Sequence, residues 1–489
     1  MENHATIVVK KLVWEKNQSS TKDKEPVGGY MWGIELQRQS EVPLKRQIYQ
    51  ALRKQIVSGK LKAGDALPST REFARELNVS RNTVNEAYDM LIVEGYVLSQ
   101  QGAPTRVADG VYLEEKNDAG TTMLEKSSPT YLVDFRTGQP DLRHFPRYLW
   151  QQIVQKTLQE IPADLFGYGG PQGLPRLREE IAAWLYRSKG IAVDAQNIFI
   201  TAGATHALHL IADLLYQEGK EMFVEDPCNR GMLQTLKNKG YPISPIPVDA
   251  LGLQTDCLLG KRASAVYVTP SHQFPLGGIL PATRRTALIR YARENECYLV
   301  EDDYDSEFRY YGDPVAPLYA MDPGRVIYVG TFSKVLFPAL RIGYVILPGE
   351  LHKRWRHLRT HTDVQNPPFE QAALAEFLHT RKFDRHLGKM RRLYGERRQV
   401  LLAALKEYFT DTWHAWGDAA GLHLAVEFPG MTFGESFVEY CKRHRIRITP
   451  VEYHCIQKGL HVNKLLFGYG HLEPEEIRKG IYLLHGKMK

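Results

Sequence analysis

At 489 residues the chain exceeds what one hydrophobic core usually supports, so two or more domains are expected. Its composition, 43% hydrophobic and 24% charged, is ordinary for a soluble globular protein, and a formal net charge of +7 permits nucleic-acid binding without demanding it. Five scattered cysteines, with no CxxC or paired spacing, argue against a disulfide framework and a zinc site, and no metal site is expected. No apolar run approaches the roughly 20 residues of a membrane span. The apolar patch Ala5–Val9 is too short for a secretory signal, which makes the cytoplasm the expected location, with no membrane partner.

Residues 1–38 are polar and weakly patterned, with the run NQSSTKDKEP, and read as a flexible extension. Residues 39–108 form a patterned unit. Leu44, Ile48, Leu52 and Ile56 recur every fourth residue and predict an amphipathic helix ending near Gly59. Ser69, with Glu72 three residues on, predicts a capping box and a second short helix ending near Asn78. Ser80 can cap a third helix with Val84, Ala87, Tyr88 and Leu91 on its buried face and Gly95 at its end. Short β-like pieces, Tyr96–Gln101 and Thr105–Val107, flank a turn at Gly102-Ala103-Pro104.

Two helices, a tight turn and a wing make the plan of a winged helix-turn-helix, whose recognition helix enters the major groove of double-stranded DNA. Ser80, Arg81, Asn82, Thr83 and Asn85 fall at or near the start of that helix, and Arg81, Asn82, Thr83 and Asn85 lie opposite its apolar stripe. Arg71, at the start of the preceding helix, suits a phosphate contact. On spacing alone, a small helical packing module with a solvated face fits equally well. The whole segment LPSTREFARELNVSRNTVNEAYDMLIVEGYV, however, closely resembles the GntR-type winged helix. It departs in the wing, where Pro104 replaces a glycine of the family and Arg106 an aromatic.

Residues 109–130 mix charge, Gly, Ser and Thr without periodicity and read as a linker. From 131 to 489, strand-like and helix-like segments alternate, the signature of an α/β domain with a mostly parallel sheet. Five apolar runs end in polar residues: Ile198–Thr201, Phe223–Glu225, Val266–Thr269, Leu299–Glu301 and Ile327–Gly330. Ligands of open α/β sheets bind beyond the carboxyl ends of strands. After the first run, Gly203-Ala204-Thr205 opens a helix, as in an anion site. After the fourth, Asp302 and Asp303 offer a carboxylate to a pyridinium nitrogen, and Tyr304 a donor to a ring hydroxylate. After the fifth come Thr331, Ser333 and Lys334, then Arg341. A buried lysine of lowered pKa can form a Schiff base with pyridoxal phosphate, while Thr331, Ser333 and Arg341 hold its phosphate. Each residue alone also fits an ordinary loop; their joint order is the specific signal.

Residues 131–489 resemble the fold-type I aminotransferase domain. The whole chain resembles the MocR-type branch of GntR regulators through LPSTREFARELNVSRNTV, GYGGPQGLPRLREEIAAWL, TPSHQFPLGG, EDDYDSEF, GTFSKVLFPALRIGY and RHLGKMRRLYGERR. The resemblance implies a seven-stranded sheet with a small α+β subdomain. It implies Lys334 as the Schiff-base lysine, Asp302 at the ring nitrogen, Tyr304 at the ring hydroxyl, and Arg341 with the Ala204-Thr205 turn at the phosphate. It also implies a head-to-tail homodimer, with Tyr168 reaching the neighbouring phosphate, and places His272 and Gln273 near the ring.

Two positions depart from the family. Asn229, in EDPCNRG, stands where an aromatic commonly covers the ring. Leu466, in NKLLFGYGHL, stands where an arginine grips a substrate α-carboxylate, with Lys464 and Arg230 as the possible substitutes. The expected function is therefore a regulator that binds an operator and senses pyridoxal phosphate itself or an amine or amino-acid effector, with weak or no turnover of α-amino acids. The alternative is a working aminotransferase with an appended DNA-binding domain.

Overall fold

The computed structural model describes residues 32–100, 102–112, 130–312, 315–410, 412–417 and 419–488. The chain divides into two compact units between residues 126 and 127. In the first, helices α1 (Leu44–Val57), α2 (Thr70–Glu76) and α3 (Arg81–Val93) precede two short antiparallel strands, Val97–Leu98 and Arg106–Val107. The fourfold apolar spacing of α1 buries Ile48, Leu52 and Ile56 in a core shared with Phe73, Val84, Tyr88 and Leu91. The capping box forms: the Ser69 hydroxyl accepts from the Glu72 backbone N–H, and the Glu72 carboxylate accepts from that of Ser69. Gly95, at φ +76°, takes the left-handed turn that follows α3.

This core reaches further upstream than residue 39. Trp32, Ile34 and Leu36 pack on it, and the Trp32 and Phe73 rings meet edge to face at 6.2 Å. Residues 1–31 of the expected extension, and 113–129 of the expected linker, lie outside the described residues. In the wing, the exposed Arg106 folds back and donates to the Gly64 carbonyl at 2.7 Å.

In the second unit, a sheet contains β1 (Ile198–Thr201), β2 (Met222–Asp226), β3 (Ile243–Asp249), β4 (Gly252–Leu253), β5 (Ala265–Val268), β6 (Tyr298–Asp303), β7 (Val326–Thr331) and β8 (Gly343–Ile346). Among the described residues their order is β1-β8-β7-β6-β5-β2-β3-β4. The pairs from β7 through β3 are parallel, β8 is antiparallel to both neighbours, and β4 is a two-residue hairpin partner of β3. The seven-stranded, mostly parallel sheet is thus present with one short strand added.

Most of the strands are apolar up to their polar carboxyl ends, because both faces are covered. Along β7, Val326 and Tyr328 enter one core, while Ile327 and Val329 enter the other. A separate antiparallel sheet of His414–Trp416, His423–Glu427, Lys464–Gly468 and Thr449–Pro450, with helices Glu435–Arg443 and Pro474–Met488, forms the small α+β subdomain.

Candidate cofactor site and DNA-reading face

Strand register decides which of the predicted residues meet. Gly343 pairs with Thr201 on one side and Thr331 on the other, so the segments following β1 and β7 and the one preceding β8 share one end of the sheet. Asp302, on β6, pairs with Val329 of β7, two residues before Thr331. Gly343 has no spare room: a Cβ there would lie 2.8 Å from the Gly203 carbonyl carbon and 3.0 Å from the Gly330 oxygen. That close approach brings Arg341 against Gly203, and Arg341 donates to the Ala202 carbonyl at 2.6 Å. Helix α4 (Ala204–Leu215) begins at this point, with Gly203 as its cap at φ +86°. Its first backbone N–H groups, exposed Thr205 and the exposed Arg341 guanidinium make a site for an anion such as phosphate. Thr331 is buried and its hydroxyl accepts from the Ser333 backbone N–H at 3.2 Å.

Lys334 lies deeper. Its Nζ donates to the Gly138 carbonyl at 2.6 Å, and a Cβ at Gly138 would come within 2.8 Å of that nitrogen. Burial lowers the lysine pKa, while the Asp305 and Asp302 carboxylates pull it back up. Asp302 Oδ2 accepts from the Tyr267 hydroxyl at 2.6 Å, whereas its Oδ1 is buried without a partner among the described residues. The Oδ1 of its neighbour Asp303 is likewise buried without a partner among the described residues, but Asp303 differs in its charge balance, because Lys189 sits 2.6 Å from its Oδ2. Burial pushes the Asp302 carboxyl up to about 6, partly offset by the Tyr267 hydrogen bond. A buried carboxylate oxygen that lacks a donor, beside a half-buried lysine and an open anion site, matches the ring nitrogen, aldehyde and phosphate of pyridoxal phosphate.

Sequence reasoning missed Gly138 and Tyr267, which hold Lys334 and Asp302. Gly138 is 196 residues from Lys334, and only its glycine identity hinted at a close approach. Asp305, also unremarked in the sequence, accepts from His272 Nδ1 at 2.8 Å, and the same nitrogen lies 3.0 Å from the Tyr304 hydroxyl. Gln273 is directed elsewhere, donating to the Pro227 and Phe274 carbonyls.

The two departing positions have definite roles in packing. Asn229 caps the helix Arg230–Asn238, its Oδ1 accepting from the Gly231 N–H at 2.8 Å. Leu466 is fully buried in an apolar cluster with Leu276, Ala425, Val451 and Cys455. Both substitute cations are engaged. Lys464 lies 3.6 Å from Glu427 and over the Trp416 ring, while Arg230 stacks at 4.0 Å on the Tyr453 ring and donates to the Tyr453 carbonyl. Tyr168 is 89% exposed.

In the first unit, Arg71, Arg81 and Asn82 are exposed, and Thr83 and Asn85 are half-buried. Ser80 serves as the cap of α3: its hydroxyl accepts from the Thr83 N–H and lies 2.8 Å from the Thr83 hydroxyl. Arg81 Nε reaches the Thr70 hydroxyl at 3.3 Å, and Asn82 donates to Glu86, which also pairs with Lys45.

Residues 131–463 match the family model for aminotransferase class I and II, and residues 44–107 that for bacterial regulatory proteins of the gntR family. The probable rhizopine catabolism regulatory protein MocR of Rhizobium meliloti is 33% identical, over 91% of this chain and 94% of its own. The chain belongs to the MocR-type branch of the gntR family. A second relative, the pyridoxine biosynthesis transcriptional regulator PdxR of Corynebacterium glutamicum, is 34% identical over 75% of this chain and 80% of its own. Among solved structures, an archaeal alanine:glyoxylate aminotransferase matches this MocR-type chain with a TM-score of 0.69 at 28% identity, covering 74% of this chain and 91% of that one. The protein is accordingly a DNA-binding regulator whose aminotransferase-like domain takes pyridoxal phosphate. No helix among the described residues is long and apolar enough to cross a membrane.

The raised carboxyl of Asp302 predicts a stability effect. Because its folded value of about 6 exceeds its ordinary 3.8, folding favours the protonated form, and that stability is lost as pH rises through 6. In cofactor-free protein, Asp302→Asn should therefore be more stable than wild type by about 2–3 kcal/mol above pH 6, with the gain vanishing below pH 4. Denaturant titration of both proteins across this range checks it; a pH-independent difference would contradict it.

Proposed function

We propose that Lys334 anchors pyridoxal phosphate covalently and that the loaded domain senses an effector. The observation that carries this reading is the unpartnered Oδ1 of Asp302 close to the half-buried Lys334, whose pKa its carboxylate influences. Asp302 would accept from the ring nitrogen, and Tyr304 would donate to the ring oxygen. Arg341, Thr331, Ser333 and the start of α4 at Ala204 and Thr205 would hold the phosphate. When bound, the cofactor supplies an aldehyde that takes up primary amines and a ring that withdraws electrons. Gly138 holds the lysine nitrogen at the pocket floor, and burial favours the neutral amine needed for attack.

The effector is pyridoxal phosphate itself or an amine that reacts with it. An ordinary α-amino acid fits poorly. Leu466 is packed into an apolar cluster and offers no cation, and Lys464 and Arg230 already have partners, so a carboxylate would be desolvated without a matching cation. We therefore read the protein as a cytoplasmic regulator and not as a working transaminase. It would act as a head-to-tail homodimer, with exposed Tyr168 reaching the partner's phosphate site. Arg81, Asn82, Thr83 and Asn85 would read base edges, Arg71 would contact phosphate, and Ser80 would hold the helix that presents them.

Two variants separate the halves of this reading. Lys334→Ala should abolish the absorbance band of lysine-bound pyridoxal phosphate while leaving the winged helix folded. Arg81→Ala should keep that band and weaken binding to DNA upstream of the protein's own gene by about 1–3 kcal/mol, about 5- to 150-fold, at fixed salt. An unchanged band in the first, or unchanged binding in the second, contradicts the corresponding assignment. Sustained conversion of an amino acid and oxo acid pair by wild type would favour an enzyme.

A further inference from the structure

His272 Nδ1 is the meeting point of three side chains. It lies 2.8 Å from Asp305 Oδ1 and 3.0 Å from the Tyr304 hydroxyl oxygen. On the far side of the ring, His272 Nε2 is buried with no partner among the described residues. The His272 and Asp305 side chains are each 2% exposed.

Two constraints locate the imidazole proton. An ionised carboxylate only accepts, so Asp305 requires a hydrogen on Nδ1. A hydrogen on Nε2 would be a buried donor with nothing to receive it, which costs more than an unused lone pair. Both place the proton on Nδ1. The ring then offers no lone pair toward Tyr304, whose oxygen can share the Nδ1 hydrogen but cannot donate to that nitrogen.

Tyr304 nevertheless keeps its own proton. Burial, then the Asp305, Asp302, Glu225 and Asp303 carboxylates, hold its hydroxyl well above its ordinary value. That proton must be given elsewhere.

The surroundings fix this arrangement. Asp305 Oδ2 accepts from the Leu422 N–H at 3.3 Å, and a Cβ on Gly421 would run into the His272 ring and come within 2.7 Å of Asp305 Oδ2. His423, whose ring centre lies 5.2 Å from that of His272, is tied to the Pro275 carbonyl, and burial pushes its pKa down to about 4, so it adds no charge.

We infer that Asp305 and His272 are positioning residues that turn the Tyr304 hydroxyl proton toward the ring oxygen of pyridoxal phosphate. The inference rests on the cofactor placement proposed above. A donor to that oxygen stabilises its anion and weakens the hold on the proton at the lysine–cofactor nitrogen. Loss of the donor therefore raises the pH midpoint at which the absorbance band titrates.

The test is a pH titration of that band in cofactor-loaded wild type, Asp305→Asn, His272→Phe, Tyr304→Phe and the double variant Asp305→Asn/Tyr304→Phe. Tyr304→Phe should raise the midpoint by about one pH unit, the worth of one hydrogen bond to a charged group. His272→Phe should shift it the same way; Asp305→Asn also removes a carboxylate that itself raises the pKa at the lysine nitrogen, so its upward shift should be the smaller of the two, and the double variant should go no further than Tyr304→Phe alone. His272→Phe keeps a ring of similar size if Asp305→Asn fails to fold. Midpoints unmoved in both Asp305→Asn and His272→Phe, or summed shifts in the double variant, would overturn the inference. A wild type with no band at all would instead overturn the placement of the cofactor at Lys334.

Discussion

The cost of burying charge organises the end of the large sheet. Lys189 lies against Asp303 and Glu307 at 2.6 and 2.8 Å, one ammonium shared by two carboxyl groups, and burial pushes the pKa of Glu307 up. Nearby lie the half-buried Lys334 and the buried Asp302, neither in an ion pair among the described residues. The lysine rests on a backbone carbonyl, and the aspartate has one oxygen satisfied and one without a donor. Unpaired groups in such surroundings shift toward their neutral forms: the lysine pKa falls and the aspartate pKa rises. A ligand that offers an electrophile to the amine and a positively charged N–H to the carboxylate relieves both penalties.

The same reasoning separates holding a cofactor from processing a substrate. Groups that would hold pyridoxal phosphate lie on strand ends and at a helix start, where register and close glycine contacts position them. Positions associated with an α-carboxylate and with ring stacking have instead been absorbed into packing, Leu466 into an apolar cluster and Asn229 into a helix cap. Under the proposed placement of the cofactor, a site so altered would keep the covalent anchor and lose the carboxylate grip, as would suit a sensor.

Much of this was legible in the sequence because it is local. The capping box at Ser69, the apolar stripe of α1 and the five runs that end in polar residues all depend on near neighbours. Three strands of the large sheet fall outside those runs: the two-residue β4 and, for further physical reasons, β3 and β8. Strand β3 carries Pro245 and Pro247, which usually argue against a strand; they are tolerated because its far side is unpaired until Val248. Strand β8 is four residues long and antiparallel in a sheet expected to be mostly parallel, so alternation with helices gave no cue to it. The Gly138 contact with Lys334, and the meeting of His272 with Asp305, depend on chain segments distant in sequence. The composition of 1–38 hid Trp32, Ile34 and Leu36, three apolar residues at alternate positions that pack on the winged-helix core.

What joins the two units functionally is a free energy: cofactor or effector alters DNA affinity only to the extent that it binds two states of the chain differently. The most direct measurement is the dissociation constant of wild-type protein for the DNA upstream of its own gene, at one salt concentration, with and without saturating pyridoxal phosphate. The account predicts a difference of about fivefold or more, absent in a protein whose Lys334 has been replaced. Identical constants with and without the cofactor, on protein shown by absorbance to be loaded, would contradict it.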